Sequence, residues 1–229
     1  MLGLKWKIRD FVYMLLASIF ILIVFTTYFY ASTSKMVIVD EHNPKAQSVL
    51  KPVDGDFIIG DKNAPVEVVF YGDFTCHHCM RFMKDTFLRL RDEYIFTGKI
   101  KFIFRPVITL KRSLFGAKFL FCENRLDDKN AEILFEMFEK KWMLSEDYVN
   151  SLSKLVEKNK WDTKSHFIEC INSKEIKDNL HKLYQNTVKP LNIHETPHIF
   201  INKKPYSADI SIFKMIDKEY NIATRANHF

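Results

Sequence analysis

Cys76-His77-His78-Cys79 puts two thiols two residues apart, with two imidazoles between them. That spacing suits reversible disulfide chemistry, in which one sulfur attacks a partner and the other resolves the mixed disulfide. The pair follows an apolar, largely β-branched run, Val66-Glu67-Val68-Val69-Phe70-Tyr71. It opens a segment in which Cys79, Met83, Phe87, Leu90 and Tyr94 recur every three or four residues, the period of one helix face. The thiols therefore stand at a strand-to-helix junction. Unpaired N–H groups and partial positive charge at a helix start stabilise a thiolate there, and a donating or protonated imidazole at His77 or His78 would lower the Cys76 pKa further. The same residue types admit a metal reading, with Cys76, Cys79, His77 or His78, and His198 as ligands. Adjacent side chains on one helical turn do not all aim at one ion, so no metal is expected.

The elements that position the pair can be read outward from it. The helix from Cys76 to about Tyr94 ends at Thr97-Gly98, and Lys99–Arg105 is a second strand stopped by Pro106. Residues 112–188 carry helical periodicity almost throughout, in pieces at 112–124, 129–142, 145–159, 163–171 and 173–187. Thr196-Pro197 then introduces the apolar run His198–Ile201. A turn at Asn202-Lys203-Lys204-Pro205 and a short strand near 205–207 follow, and a last helix runs from Asp209 to about Tyr220. The order is a βαβ unit, a helical block, and a ββα unit.

Composition bounds the compartment and the class. Lys5, Lys7 and Arg9 precede 21 uncharged residues, Phe11 to Ala31. At ~1.5 Å per residue these span a ~30 Å hydrocarbon core. Phe29 two positions before Ala31 makes a poor cleavage site, and Ser32-Thr33-Ser34 a better one that is still weak. Residues 1–34 are thus read as a signal peptide or, by preference, an uncleaved anchor with the remaining chain outside the cytoplasm. Residues 35–56, polar and carrying Pro44, Pro52 and Gly55, read as a linker. A hydrophobic fraction of 47% with 21 phenylalanines excludes a disordered chain. The net charge of +6 is spread among nearly as many acids as bases, 28 against 34, with no basic stripe, so nucleic acid is not an expected partner. Four cysteines, 76, 79, 122 and 170, allow two disulfides in an exported chain.

Three stretches carry a family resemblance. Asp73-Phe74-Thr75-Cys76-His77-His78-Cys79 resembles the active-site segment of bacterial DsbA-like thiol:disulfide oxidoreductases. Gly60-Asp61-Lys62-Asn63-Ala64-Pro65-Val66 resembles their lead-in to the first core strand, and Thr196-Pro197-His198-Ile199-Phe200-Ile201-Asn202 their cis-proline segment. The resemblance covers about residues 57–220. It implies an α/β chain with a thioredoxin fold, a central mixed sheet interrupted by an all-α inserted subdomain. The first part would be 57–108 with the Cys-X-X-Cys, the helical insertion 109–190, and the second part 191–229 with the cis-proline.

The resemblance also implies roles. Cys76 would be the nucleophile, Cys79 the resolving thiol, and Pro197 a cis-proline against the dithiol, with the Thr196 backbone pairing with an extended substrate. His78 stands where oxidising members commonly carry His; His77 replaces their usual Pro. Cys122 and Cys170, on apolar helix faces, are candidates for a second, structural disulfide. Two departures are visible. Phe70 occupies the position of a buried Glu that often assists the resolving thiol, and Asn202-Lys203 replaces the usual Asn-Gly turn. Asp73, charged and near the site, is read first as a turn-forming residue and second as a catalytic one. The function implied is a periplasmic oxidase that introduces disulfides into exported proteins. It would use no cofactor beyond the Cys76–Cys79 disulfide, act as a monomer, and be reoxidised by a membrane redox partner. A reductase or isomerase on the same fold, a metal-delivery module and a non-enzymatic chaperone are the competing readings.

Overall fold

The computed structural model describes residues 8–33, 44–123, 130–139, 146–160, 164–207 and 210–226. Val66–Gly72 forms the central strand, β2, and every position of it except Glu67 is buried. A strand covered on both faces needs such a near-continuous apolar run. With β1 (Phe57–Ile59) on the chain before it, β2 pairs in parallel with β3 (Ile100–Pro106) and antiparallel with β4 (His198–Ile201). β4 returns as the two-residue β5 (Lys204–Pro205), and β1 closes the other edge antiparallel to β3. The sheet order is β1-β3-β2-β4-β5. Asn202 and Lys203 both take positive φ, 47° and 67°. Two such residues suit the twist of a two-residue hairpin, so the missing glycine leaves the turn's handedness intact.

The parallel β2–β3 pair requires a crossover. It is the helical run from α3 (His77–Phe82) through α4 (Leu88–Leu90), with π-helical turns at Met83–Phe87 and Arg91–Ile95. Alternation along β2 sends Val66, Val68 and Phe70 toward this run. Phe70 meets Phe82 at 4.8 Å between ring centroids, and Phe87 meets Phe102 of β3 at 5.1 Å. Tyr71 turns to the opposite face, edge-on to Phe200 and with its hydroxyl donating to the Thr187 carbonyl.

Between β3 and β4 lie α5 (Lys111–Glu123), α6 (Asn130–Glu139), α7 (Tyr148–Asn159), α8 (Lys164–Asn172) and α9 (Lys174–Leu183). They share the sheet's core. Phe138 of α6 lies 4.8 Å from the Phe74 ring and 5.7 Å from Phe104 of β3. The last helix, α10 (Ile212–Ala226), stacks Phe213 on Tyr94. It begins three residues after the expected start at Asp209, which lies outside the described residues.

Residues 44–56 correct the expectation of a linker. They hold the short helix α2 (Pro44–Val49), and Leu50 is fully buried. Arg105 of β3 causes this. Its guanidinium is fully buried and donates to both carboxylate oxygens of Asp56 (2.7 and 2.8 Å), the carbonyls of Val49 and Lys51 (2.8 and 2.7 Å) and the Tyr71 hydroxyl (2.7 Å). A buried cation must have its donors satisfied, and this segment supplies the acceptors. Burial opposes the charge, yet Asp56 and Tyr71 raise the Arg105 pKa. The beginning of the expected linker, 35–43, lies outside the described residues.

Residues 39–229 form one compact unit and residues 1–38 another. The second contains α1 (Ile8–Thr33). Its described side chains, from Phe11 to Thr27, are exposed, and among the described residues no helix is long and apolar enough to cross a membrane.

Candidate active site

Cys76 caps α3. Its backbone is extended (φ −79°, ψ 120°) and its Sγ accepts the Cys79 N–H at 3.4 Å, one of the orphan donors of the helix start. On its other side Cys76 Sγ donates to the Thr196 carbonyl at 3.2 Å. Cys76 is partly exposed, whereas Cys79, one turn along, is fully buried. Both thiols are free. One sulfur is within reach of a substrate and the other waits beneath it.

The electrostatics separate the two. A hydrogen bond from the Cys79 thiol, opposed by burial and aided by Thr196 and the N–H groups of Cys79 and His78, brings the Cys76 pKa down to about 5. Hydrogen bonding to Cys76 and then burial push the Cys79 thiol far up. One proton thus serves both sulfurs, and near neutrality it resides on Cys79. His78 reaches Cys76 through its main chain. The His77 and His78 rings are exposed, with centroids 6.4 Å apart.

The Thr196–Pro197 peptide is cis. It brings the Thr196 carbonyl to Cys76 immediately before β4, whose first residue, His198, contacts the Glu195 carbonyl through Nδ1. Among the described residues no three His, Cys, Asp or Glu side chains converge as a metal site requires. Cys122 of α5 and Cys170 of α8 are disulfide-bonded, with Cα atoms 6.0 Å apart. Asp73 does more than form a turn. Its carboxylate is buried and accepts hydrogen bonds from Thr75, Thr109 and Ser113. The last two lie 36 and 40 residues along the chain, so nothing local in the sequence links them to the dithiol.

A dithiol at the first turn of the helix that follows a central strand, with a cis-proline loop set against it, defines a thioredoxin-type site. A family model described as "Thioredoxin" matches residues 53–217. The alpha-DsbA1 crystal structure from Wolbachia pipientis superposes with a TM-score of 0.69 at 26% identity, over 79% of this chain and 98% of that one. A Bacillus anthracis protein named "Probable disulfide bond formation protein D" is 30% identical over 70% of this chain and 76% of its own length. A Rickettsia prowazekii protein named "Putative protein-disulfide oxidoreductase" is 29% identical over 75% of this chain; the match spans 64% of that protein's length. The chain belongs to the thioredoxin family, in its DsbA-like branch of disulfide oxidoreductases.

Proposed function

We propose that this chain is a periplasmic oxidase that introduces disulfide bonds into exported proteins. The observation that carries this reading is the half-exposed Cys76 sulfur, which accepts the Cys79 N–H and is favoured as a thiolate by the Cys79 thiol, the Thr196 side chain and the N–H groups of Cys79 and His78. Stabilising that thiolate stabilises the reduced enzyme, which makes its disulfide oxidising.

In the oxidised enzyme a substrate thiolate attacks Cys76 Sγ, and the bond to Cys79 breaks. Cys79 leaves as a thiolate and is protonated at once, because its surroundings favour the neutral thiol. A second substrate thiolate then attacks the substrate sulfur of the mixed disulfide, and Cys76 leaves as the thiolate its site stabilises. The substrate has lost two electrons and the Cys76–Cys79 pair has gained them. The Thr196 main chain pairs with the extended substrate and Pro197 closes that edge. The exposed rings of His77 and His78 add positive potential when protonated. Cys122–Cys170 braces the helical block and takes no electrons.

Reoxidation falls to a membrane redox partner, no cofactor beyond the dithiol takes part, and the protein works as a monomer. Tethering to the inner membrane would rest on the sequence alone, 21 uncharged residues behind three basic ones; among the described residues no helix is long and apolar enough to cross a membrane.

The test is to equilibrate the full chain, in detergent, with glutathione buffers, with the Cys122→Ser/Cys170→Ser variant as control. A Cys76–Cys79 potential near about −120 mV supports an oxidase, and one near about −270 mV a reductant. Failure to exchange with glutathione overturns the redox reading altogether.

A further inference from the structure

Asp73 is a buried carboxylate, 1% exposed, that no Lys, Arg or His pairs with among the described residues. Five donors surround it instead. Oδ1 accepts the Thr75 N–H (2.6 Å), the Thr75 hydroxyl (2.7 Å) and the Ser113 hydroxyl (2.8 Å). Oδ2 accepts the Thr109 N–H (3.2 Å) and the Thr109 and Ser113 hydroxyls. The same residue touches the dithiol through its main chain. Its carbonyl accepts the Cys76 N–H at 3.0 Å, and its N–H is directed at the Cys79 sulfur. Next to it, the Phe74 ring lies so close over Gly116 of α5 that a Cβ there would stand 2.6 Å from Phe74 Cδ2. Thr109, Ser113 and Gly116, at the start of α5, thus grip the three residues that lead into Cys76.

We propose that Asp73 is a positioning residue for thiol–disulfide exchange: its carboxylate fastens the 73–76 turn to Thr109 and Ser113, and so holds the Cys76 sulfur between the Cys79 N–H and the Thr196 carbonyl. This rests on the redox reading above and adds to it a residue that acts through the cysteines without touching substrate.

The geometry requires a carboxylate. Hydroxyls can rotate to accept a hydrogen bond, but main-chain N–H groups cannot. One N–H faces each oxygen, Thr75 on Oδ1 and Thr109 on Oδ2. An Asn in either flip sets its NH₂ against one of them, leaving two buried donors opposed. Charge and position then pull in opposite directions. If Asp73 acted only as a nearby negative charge, removing it would lower the Cys76 pKa. If it acts by position, Asp73→Asn loosens the turn, weakens the hydrogen bond that the Cys79 N–H donates to Cys76 Sγ, and raises that pKa.

The experiment measures the rate of alkylation of Cys76 against pH in the full-length, reduced protein, localised by mass spectrometry. Asp73→Asn, Ser113→Ala and Thr109→Val are compared with Ser153→Ala, a buried serine of α7 whose hydroxyl donates to the Val149 carbonyl of the same helix. The expected result is an upward shift of the Cys76 midpoint by about one unit, tenfold in proton affinity, in Asp73→Asn. Smaller upward shifts follow in Ser113→Ala and Thr109→Val, and none in Ser153→Ala. A downward or absent shift in a folded Asp73→Asn overturns the proposal. Should that variant not fold, unchanged midpoints in both Ser113→Ala and Thr109→Val overturn it. An unmodified protein whose Cys76 titrates like a free thiol overturns the redox reading first, and the positioning role with it.

Discussion

Changing the pH should bend the redox behaviour of the dithiol at a defined place. Cys76 titrates at about 5 in the folded, reduced protein, against about 8.5 for an unperturbed thiol. The pKa is depressed, so the stabilisation of the reduced form is complete above the unperturbed pKa, partial between the two values, and lost as pH falls through about 5. At pH 7 the thiolate favours the reduced form by about 100-fold, which for a two-electron couple is about 60 mV. Cys76 is partly open to solvent, and screening reduces this to about 30–60 mV. Proton counting supplies the signature. Below pH 5 reduction takes up two protons per two electrons, and the potential falls by about 59 mV per pH unit. Above it Cys79 alone is protonated, and the slope halves to about 30 mV. The assay is equilibration with glutathione from pH 4 to pH 8, with the oxidised and reduced forms separated after acid quench. A single slope of about 59 mV across the range would mean that Cys76 is protonated at neutral pH, and would refute the argument that its hydrogen bonds stabilise a thiolate.

Three further outcomes are expected. Asp56→Ala strands the buried Arg105 guanidinium and costs about 3–5 kcal/mol in urea unfolding, whereas replacing both partners with apolar residues costs less. Converting Cys122 and Cys170 to Ser removes a cross-link across 48 residues and lowers stability by roughly 3–4 kcal/mol in the same assay, with the Cys76–Cys79 exchange retained. Gly116→Ala should gain about 1 kcal/mol of helix propensity on an open helix. Here its Cβ meets the Phe74 ring, so the net result is a loss of about 1–3 kcal/mol, with slower exchange at the displaced turn.

The chemistry of the chain was legible in local sequence because it is encoded locally. The Cys76–Cys79 spacing, the apolar run before it and the helix period after it together place two sulfurs at a helix start, and the structure has them there. The five helices of the inserted block begin and end within a few residues of the period-based ranges. Continuous apolar patterning also marks β2, β3 and β4, since strands in the middle of a sheet must be apolar on both faces. The three-residue edge strand β1 and the short helix α2 escaped, being too brief for any period to register and held in place by partners elsewhere in the chain.

What the sequence by itself determined is the set of groups and their local geometry: a dithiol, its helix, a Thr-Pro before a strand, and two more cysteines on helix faces. Only the tertiary structure decided how those groups act on one another. Hydrogen bonding between the two sulfurs and burial send one shared proton to Cys79, and Thr196, which also borders the Cys76 sulfur, arrives from 120 residues away. The segment before β1 is ordered because Arg105, buried on β3, has donors that need acceptors. Asp73 looks like a turn residue until Thr109 and Ser113 close over it. Side-chain spacing conveys who is near whom within a few residues, whereas burial and long-range hydrogen bonds exist only once the chain has folded back on itself.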